Sequence, residues 1–329
     1  MREPRFELIN GDVLKTSADV LALKYAQTYY GADRAASSRL VQAGEDPAVL
    51  TPDEGDFRLV SSRGVVAADR VLFMGVPELT DFDYREIRIF ARRVLSALAA
   101  EAPDTKRLAV TLHGPGFGLD ETEAFEAEVA GFLDGIRSGD APPELERITI
   151  VERNLGRAER LEKVLAEILP HEKSSTDARI VRIEDAREER LRSAGYGSGA
   201  KKHVFVAMPF RDEMDDVYHY GIHGAVRDTG WICERADLSA FTGDVLQWVR
   251  TRIKSAALVV AELSETNPNV YLEVGFAWGC GVPTVLVARE DSQLPFDARG
   301  QRCLFYKRIK DLEEALRDEL QALKLNRVV

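Results

Sequence analysis

Two apolar runs, Ala257-Leu-Val-Val-Ala-Glu-Leu263 and Pro283-Thr-Val-Leu-Val-Ala288, enclose the stretch Asn267-Pro-Asn-Val-Tyr-Leu-Glu273-Val-Gly275. Each run has strand length and is apolar on both faces, the pattern of a strand buried inside a parallel sheet. Parallel neighbours need a crossover, so the stretch between them has to supply a helix. Asn269 can cap that helix and cover its free N–H groups. Glu273 then lies near the positive end of the helix dipole, which favours the ionised carboxylate. A carboxylate at the C-terminal edge of a sheet can stabilise a sugar cation or attack an anomeric carbon. It can equally do no more than stabilise its own helix.

The same alternation runs through the chain. Phe6-Glu-Leu-Ile9, Asp19-Val-Leu-Ala-Leu23, Arg70-Val-Leu-Phe-Met74, Arg107-Leu-Ala-Val-Thr-Leu112 and Arg147-Ile-Thr-Ile-Val151 read as strands. Tyr84 to Ala100 spaces Ile87, Phe90, Ala91, Val94, Leu95 and Leu98 as a helix does, and Thr122 to Ile136 repeats this with Phe125, Val129, Phe132 and Leu133. Residues 171–200 differ, with six acids, six bases and the hinge-like ending Gly195-Tyr-Gly-Ser-Gly-Ala200. Within them, Arg179-Ile-Val-Arg-Ile183 can form a strand or an arm. From His203 the pattern restarts. His203-Val-Phe-Val-Ala207, Trp231-Ile-Cys-Glu234 and Leu304-Phe-Tyr306 are strands. Asp215 to Thr229, Gly243 to Ser255 and Ile309 to Leu325 are helices. The expectation is α/β throughout, as two three-layer domains over residues 1–170 and 203–329, joined by a linker or arm over 171–202.

Composition narrows the function classes. Hydrophobic residues make up 45% and charged residues 30%, as in a soluble globular protein. No apolar run reaches the ~20 residues of a membrane helix, and Met1-Arg-Glu-Pro-Arg-Phe lacks the apolar core of a secretion signal. A net charge of −11 argues against binding polymeric nucleic acid, though not against a small nucleotide held by backbone N–H groups. Cys233, Cys280 and Cys303 form no metal spacing and are expected as reduced thiols in the cytoplasm. His219 and His223, at i and i+4, can share a helical face. Without a recognisable set of further ligands they are expected as packed or solvated residues, and no metal is expected.

With these residues in view, the C-terminal part resembles the TIR-like and nucleoside 2-deoxyribosyltransferase-like superfamily, over about 203–325. The match rests on Val204-Phe-Val-Ala-Met-Pro-Phe210, Ala236-Asp237, the Asp244-to-Ile253 helix, and Leu258-Val-Val-Ala-Glu-Leu263 followed by the Asn267–Ala277 stretch. The resemblance implies a flavodoxin-like parallel sheet and a catalytic role for Glu273. It implies cleavage of an N-glycosidic bond, either the nicotinamide–ribose bond of NAD+ as substrate or the base–sugar bond of a nucleoside. Substrate-binding roles are implied for Met208, Pro209, Phe210, Asp237, Asn267, Asn269 and Tyr271. Cationic nicotinamide leaves without a proton, so one carboxylate suffices. A neutral base needs an acid as well, for which Asp237 and Glu262 are candidates. Tyr271 and Trp278 can stack on a base or pack in the core.

The N-terminal part resembles a macro domain over roughly 5–170. The residues are Gly11-Asp-Val13, Asp19-Val-Leu-Ala-Leu-Lys-Tyr-Ala-Gln27, Gly31-Ala-Asp-Arg through Gly44, and His113-Gly-Pro-Gly-Phe-Gly118. The family's Asn at the end of its second strand is Gln27 here, and the first loop has a single glycine, Gly31. The resemblance implies nucleotide binding by Asp12, Gln27, Gly31, Gly114, Gly116, Phe117 and Gly118, with the glycines exposing N–H groups to phosphate oxygens. Together the halves look like a bacterial anti-phage effector. In that class a nucleotide messenger, such as a cyclic oligoadenylate or an ADP-ribose derivative, switches on NAD+ hydrolysis. Such effectors work as homo-oligomers, in some cases filaments. Met214 and Phe241 are expected as apolar tips at such contacts. The alternatives are a nucleoside or nucleotide N-glycosidase or deoxyribosyltransferase, and a non-catalytic nucleotide-sensing scaffold.

Overall fold

The computed structural model describes residues 4–169, 178–235, 245–294 and 301–325. By its internal contacts the chain divides into two compact units, Met1–Pro115 with Glu121–Gly199, and Gly116–Asp120 with Ala200–Val329.

The first unit is built on a six-stranded mixed sheet. Its strands are β1 (Arg5–Asn10), β2 (Val20–Tyr25), β3 (Phe57–Ser61), β4 (Arg70–Gly75), β5 (Arg107–Thr111) and β6 (Arg147–Glu152). They run in the order β1-β6-β5-β2-β4-β3, and only the β3–β4 pair is antiparallel. The helices are α1 (Gly31–Gln42), α2 (Tyr84–Glu101), α3 (Glu121–Ser138), α4 (Leu155–Ile168) and α5 (Ala178–Ser193). The apolar spacing of α2 and α3 is spent on packing: Phe90, Val94, Leu95, Phe125 and Phe132 are buried. Gly131 lets the two helices approach, since a Cβ there would lie 2.1 Å from the carbonyl oxygen of Arg88.

The expected strand at Arg179–Ile183 is part of helix α5 instead. Its β-branched residues suggest a strand only until the run is followed into Glu184–Ser193, which is rich in helix-forming Glu and Arg. The end of α5 is fastened to the first unit. Arg88 binds Asp134 at 2.7 Å and donates to the carbonyls of Leu191, Arg192 and Ala194, so a cation meets the negative end of the helix dipole.

The second unit holds a five-stranded, wholly parallel sheet. Its strands are β7 (His203–Ala207), β8 (Ile232–Glu234), β9 (Leu258–Glu262), β10 (Thr284–Arg289) and β11 (Cys303–Tyr306). The order β8-β7-β9-β10-β11 is that of a flavodoxin-like fold. Its helices are α6 (Gly224–Asp228), α7 (Val245–Ser255), α8 (Pro268–Gly279) and α9 (Ile309–Leu325). The helix expected over Asp215 to Thr229 begins as a π-helical stretch, Val217–His223, and tightens into α6. Two buried clusters flank the sheet: Val204, Val206, Val260 and Leu316 on one face, Phe205, Trp248, Val259 and Val274 on the other. Among the described residues no helix is long and apolar enough to cross a membrane.

Candidate functional site

Open parallel sheets bind ligands outside the carboxyl ends of their strands, where the winding direction reverses. In the second unit that reversal falls between β7 and β9. Met208, Pro209 and Phe210 leave the end of β7, and the loop leading to Asn267 and α8 leaves the end of β9.

Asn267, rather than Asn269, caps α8. Its side chain accepts the Asn269 N–H at 3.0 Å, and Pro268 opens the helix. Glu273 therefore lies in the second turn, and the first turn holds no acid. The dipole's influence falls off within one turn, so the expected stabilisation of the charged form does not hold. Burial wins: it pushes the Glu273 carboxyl up to about 7. Among the described residues no hydrogen bond or ion pair to its side chain is formed. Glu273 is nevertheless only partly covered, and so can still meet a ligand. Beside it, Tyr271 packs against the core, Asn269 is exposed, and Trp278 is 40% exposed.

Glu262, one of two candidate helpers, is committed elsewhere. It is fully buried at the end of β9 and accepts from Tyr306 Oη at 3.0 Å and from the Ser264 N–H at 3.3 Å, with a further bond from Ser264 Oγ. Ser264 Oγ also accepts the Arg289 N–H at 2.8 Å, so the group ties the ends of β9, β10 and β11 together. Burial raises the Glu262 carboxyl, and the bonds from Ser264 and Tyr306 oppose that rise. The other candidate, Asp237, lies outside the described residues, as does Phe241.

Arg235 was not singled out by the sequence. It follows β8, with its guanidinium 4.0 Å from the Tyr218 ring centroid and 4.8 Å from that of Phe210, and 3.3 Å from Asp215. Met208 and Pro209 are buried, Met208 Sδ lies 3.8 Å from an Arg235 guanidinium nitrogen, and the half-buried Phe210 has one ring face already taken by that cation. Met214, expected as an exposed tip, is buried in the core of this unit. His223 Nε2 lies 2.9 Å from the Asp120 carboxylate, and its ring is 6.2 Å from that of His219. Among the described residues no cluster suited to a metal ion occurs.

In the first unit the reversal falls between β2 and β5. Gln27, just past β2, has φ +55°, a left-handed backbone rare outside glycine, and its amide donates to the Val76 carbonyl at 3.0 Å. Gly31 opens α1 with φ +45°, and Gly114 follows β5 with φ +101°. Asp12 caps a short 3-10 turn, accepting the Leu14 N–H at 3.1 Å, so part of its carboxylate is used locally. Gly116, Phe117 and Gly118, expected with these residues, belong instead to the second unit, within which the Gly118 carbonyl accepts the Arg235 N–H at 3.2 Å.

Beneath Gln27 and Gly114 lie two buried pairs that the sequence did not reveal. Lys24 Nζ meets Asp33 at 2.7 Å, with both side chains almost fully covered. His113 Nδ1 meets Glu128 at 2.9 Å, and the ring packs 4.4 Å from that of Phe90. Burial holds His113 well below and Glu128 well above their usual values, so both favour their neutral forms. Protonated Glu128 then donates to Nδ1, leaving Nε2–H towards Thr111 Oγ1 at 3.4 Å. A lysine at the end of the otherwise apolar run Val20-Leu-Ala-Leu-Lys24 was the available signal, because a buried cation demands a partner.

No family model matches the chain. No curated protein matches it either. Among solved structures it is similar to a CMP N-glycosidase of Clostridium botulinum, at 20% identity over 36% of this chain and 99% of that one, with a TM-score of 0.31. It is similar to a macrodomain of Oceanobacillus iheyensis with ADP, at 12% identity over 49% and 91% of the two chains, with a TM-score of 0.37. It is also similar to a Trypanosoma brucei macrodomain in complex with ADP, at 16% identity over 49% and 68%, with a TM-score of 0.37. At these identities and scores the likenesses assign no function.

Proposed function

We propose that the second unit cleaves an N-glycosidic bond, releasing nicotinamide from NAD+, with Glu273 as the carboxylate beneath the ribose. On this reading the first unit binds a nucleotide messenger, a cyclic oligoadenylate or an ADP-ribose derivative, that switches the reaction on. The protein then serves as an anti-phage effector working as a homo-oligomer or filament. The observation that carries the proposal is Glu273 itself. It is a carboxyl with no partner among the described residues, pushed up to about 7 by burial. It sits on the helix that follows β9, one of the two strands at the reversal point.

The chemistry follows from that setting. Breaking the bond places positive charge on the ribose, and a desolvated carboxylate interacts with it through little screening. A cationic nicotinamide riboside approaching Glu273 favours its ionised form. Nicotinamide departs without a proton, and water takes its place at the anomeric carbon, giving up one proton to the Glu273 carboxylate and from there to solvent. Met208, Pro209 and Phe210 would floor the site. Asn267, Asn269, Tyr271 and Asp237 would line it.

The same environment favours a second reading. A carboxyl near 7 carries its proton about half the time at neutral pH, so it can also serve as an acid for a neutral leaving base. That suits a nucleoside or nucleotide N-glycosidase or a deoxyribosyltransferase. The test is to incubate purified protein with NAD+, nucleosides and nucleoside monophosphates, each with and without candidate messengers, and to quantify free base. Nicotinamide release that depends on a messenger supports the first reading. Base release from nucleosides or monophosphates alone supports the second. No release under any condition refutes both and leaves a non-catalytic scaffold.

A further inference from the structure

β1 stands at the edge of its sheet, with β6 as its neighbour. The N–H groups of Arg5 and Gly11 go to the carbonyls of Glu146 and Glu152, at 2.8 and 3.0 Å. Alternate residues of a parallel strand face the same neighbour. Phe6 and Leu8 therefore turn their N–H and C=O groups away from β6, towards the sheet edge, where no strand pairs with them among the described residues. From Phe6 to Ile9 the strand is only half-buried, whereas β6 is buried from Ile148 to Glu152. Beside β1 lies a cleft of about 1050 Å³, walled by Leu133 and Ile136 of α3, Leu165 of α4 and Leu191 of α5.

The rim of the cleft is acidic. Glu162, Glu184 and Asp185 stand on it without an ion pair among the described residues, against one basic residue in the same condition, Arg187. The other rim charges are matched: Glu7 lies 3.5 Å from both Arg5 and Arg147, and Glu188 lies 3.9 Å from Arg137. Open sheet edges are commonly blunted by charged side chains, proline or a bulge. The run Arg5-Phe-Glu-Leu-Ile-Asn10 has no proline, and its two charges, Arg5 and Glu7, lie 3.5 Å from each other.

We propose that β1 and this cleft form a docking groove for an extended, basic segment of a partner protein. The segment adds a strand alongside β1. Its alternate apolar side chains enter the cleft, and its Lys or Arg residues meet the rim. A second copy of this chain fits the charge less well, because pairing β1 with its own copy sets one acidic rim against the other.

The test uses the full chain and a fluorescein-labelled peptide of alternating Lys and Val, with an alternating Glu and Val peptide as its counterpart, followed by fluorescence anisotropy. The basic peptide should bind at least tenfold more tightly than the acidic one. Leu8→Pro removes an outward donor and spares the β6 ladder, and should weaken binding tenfold or more. The double change Glu184→Lys with Asp185→Lys should do the same, and it keeps the proposal testable if the proline variant misfolds. Reversing two exposed acids of the other unit, Glu290→Lys with Glu314→Lys, should change affinity less than twofold. Four results would each overturn the proposal: no binding at 1 mM peptide, equal binding of both peptides, binding that survives the rim variant, or equal losses in rim and control variants. Dimerisation of the wild type that Leu8→Pro abolishes would assign the edge to a second copy and overturn it as well.

Discussion

The two units reverse their winding beside parallel strands near the centre of each sheet, yet they treat buried ionisable groups there in opposite ways. In the first, Lys24 is matched by Asp33 and His113 by Glu128. In the second, Glu273 has no partner among the described residues, and burial raises it to about 7. Paired groups hold the ends of β2 and β5 in fixed positions, which suits a binding edge built from backbone. An unmatched carboxyl is costly to keep and gains most when positive charge appears next to it, which suits a reactive site. Burial perturbs His113, Glu128 and Glu273 alike; what sets Glu273 apart is that, among the described residues, no partner meets its carboxyl. Glu262 illustrates the contrast within the second unit: its shift is opposed by the Tyr306 and Ser264 bonds that occupy it.

The largest expected effect breaks a pair. Lys24→Met should destabilise the first unit by about 3–5 kcal/mol, because it leaves the Asp33 carboxyl buried without a cation. Lys24→Met combined with Asp33→Leu should recover most of that loss. Chemical denaturation of the two variants checks this, and additive losses would mean that the pair is not a unit.

Glu273→Gln should do the reverse and stabilise the protein at pH 8. The folded-state value of about 7 exceeds the ordinary 4.5. The folded form therefore binds more protons between these values, and stability falls as pH rises from about 4.5 to 7. At about 1.4 kcal/mol per pKa unit, discounted for the partial exposure of the group, the gain should be about 1–3 kcal/mol. Melting curves at pH 5 and pH 8 check it: the variant should gain at pH 8 and match the wild type at pH 5. Equal profiles at both pH values would show that Glu273 is not desolvated.

Smaller effects sharpen the comparison at the loops. Gly116 has open space where a Cβ would point, so Gly116→Asp should fold normally. It should reduce activation by messenger about tenfold, roughly 1.4 kcal/mol, which a dose–response of base release reads. Asn267→Ala should cost about 1 kcal/mol through loss of the α8 cap, measured by thermal melting. A neutral outcome would mean that α8 is held by packing alone.

Most strands and the helices α2, α3, α7 and α9 were legible because each carries an unbroken apolar run or a sustained 3.6-residue period, whereas α4 (Leu155–Ile168) was not named and part of α5 was expected as a strand or arm. β3 escaped notice because Phe57-Arg-Leu-Val-Ser61 is short, half-exposed and interrupted by Arg58. The position of Glu273 on a helix after a buried strand was legible, but its electrostatics were not. Because Asn267 and not the expected Asn269 caps α8, Glu273 lies in the second turn, beyond the reach of the helix dipole, and is half-buried. The Lys24–Asp33 and His113–Glu128 pairs join separate elements, so no local pattern announces them. Only a charge at the end of an apolar strand hinted at one of them.

The central claim is that Glu273 does the chemistry. The most direct measurement is base release by wild type, Glu273→Gln and Glu273→Asp, at matched concentration and after circular dichroism confirms the fold. Glu273→Gln should lose at least about 10²–10³ of the rate, the usual size of a lost transition-state electrostatic contact. Wild-type rates should rise with pH through about 7 as the carboxylate forms. A folded Glu273→Gln protein that releases base at the wild-type rate would contradict the account.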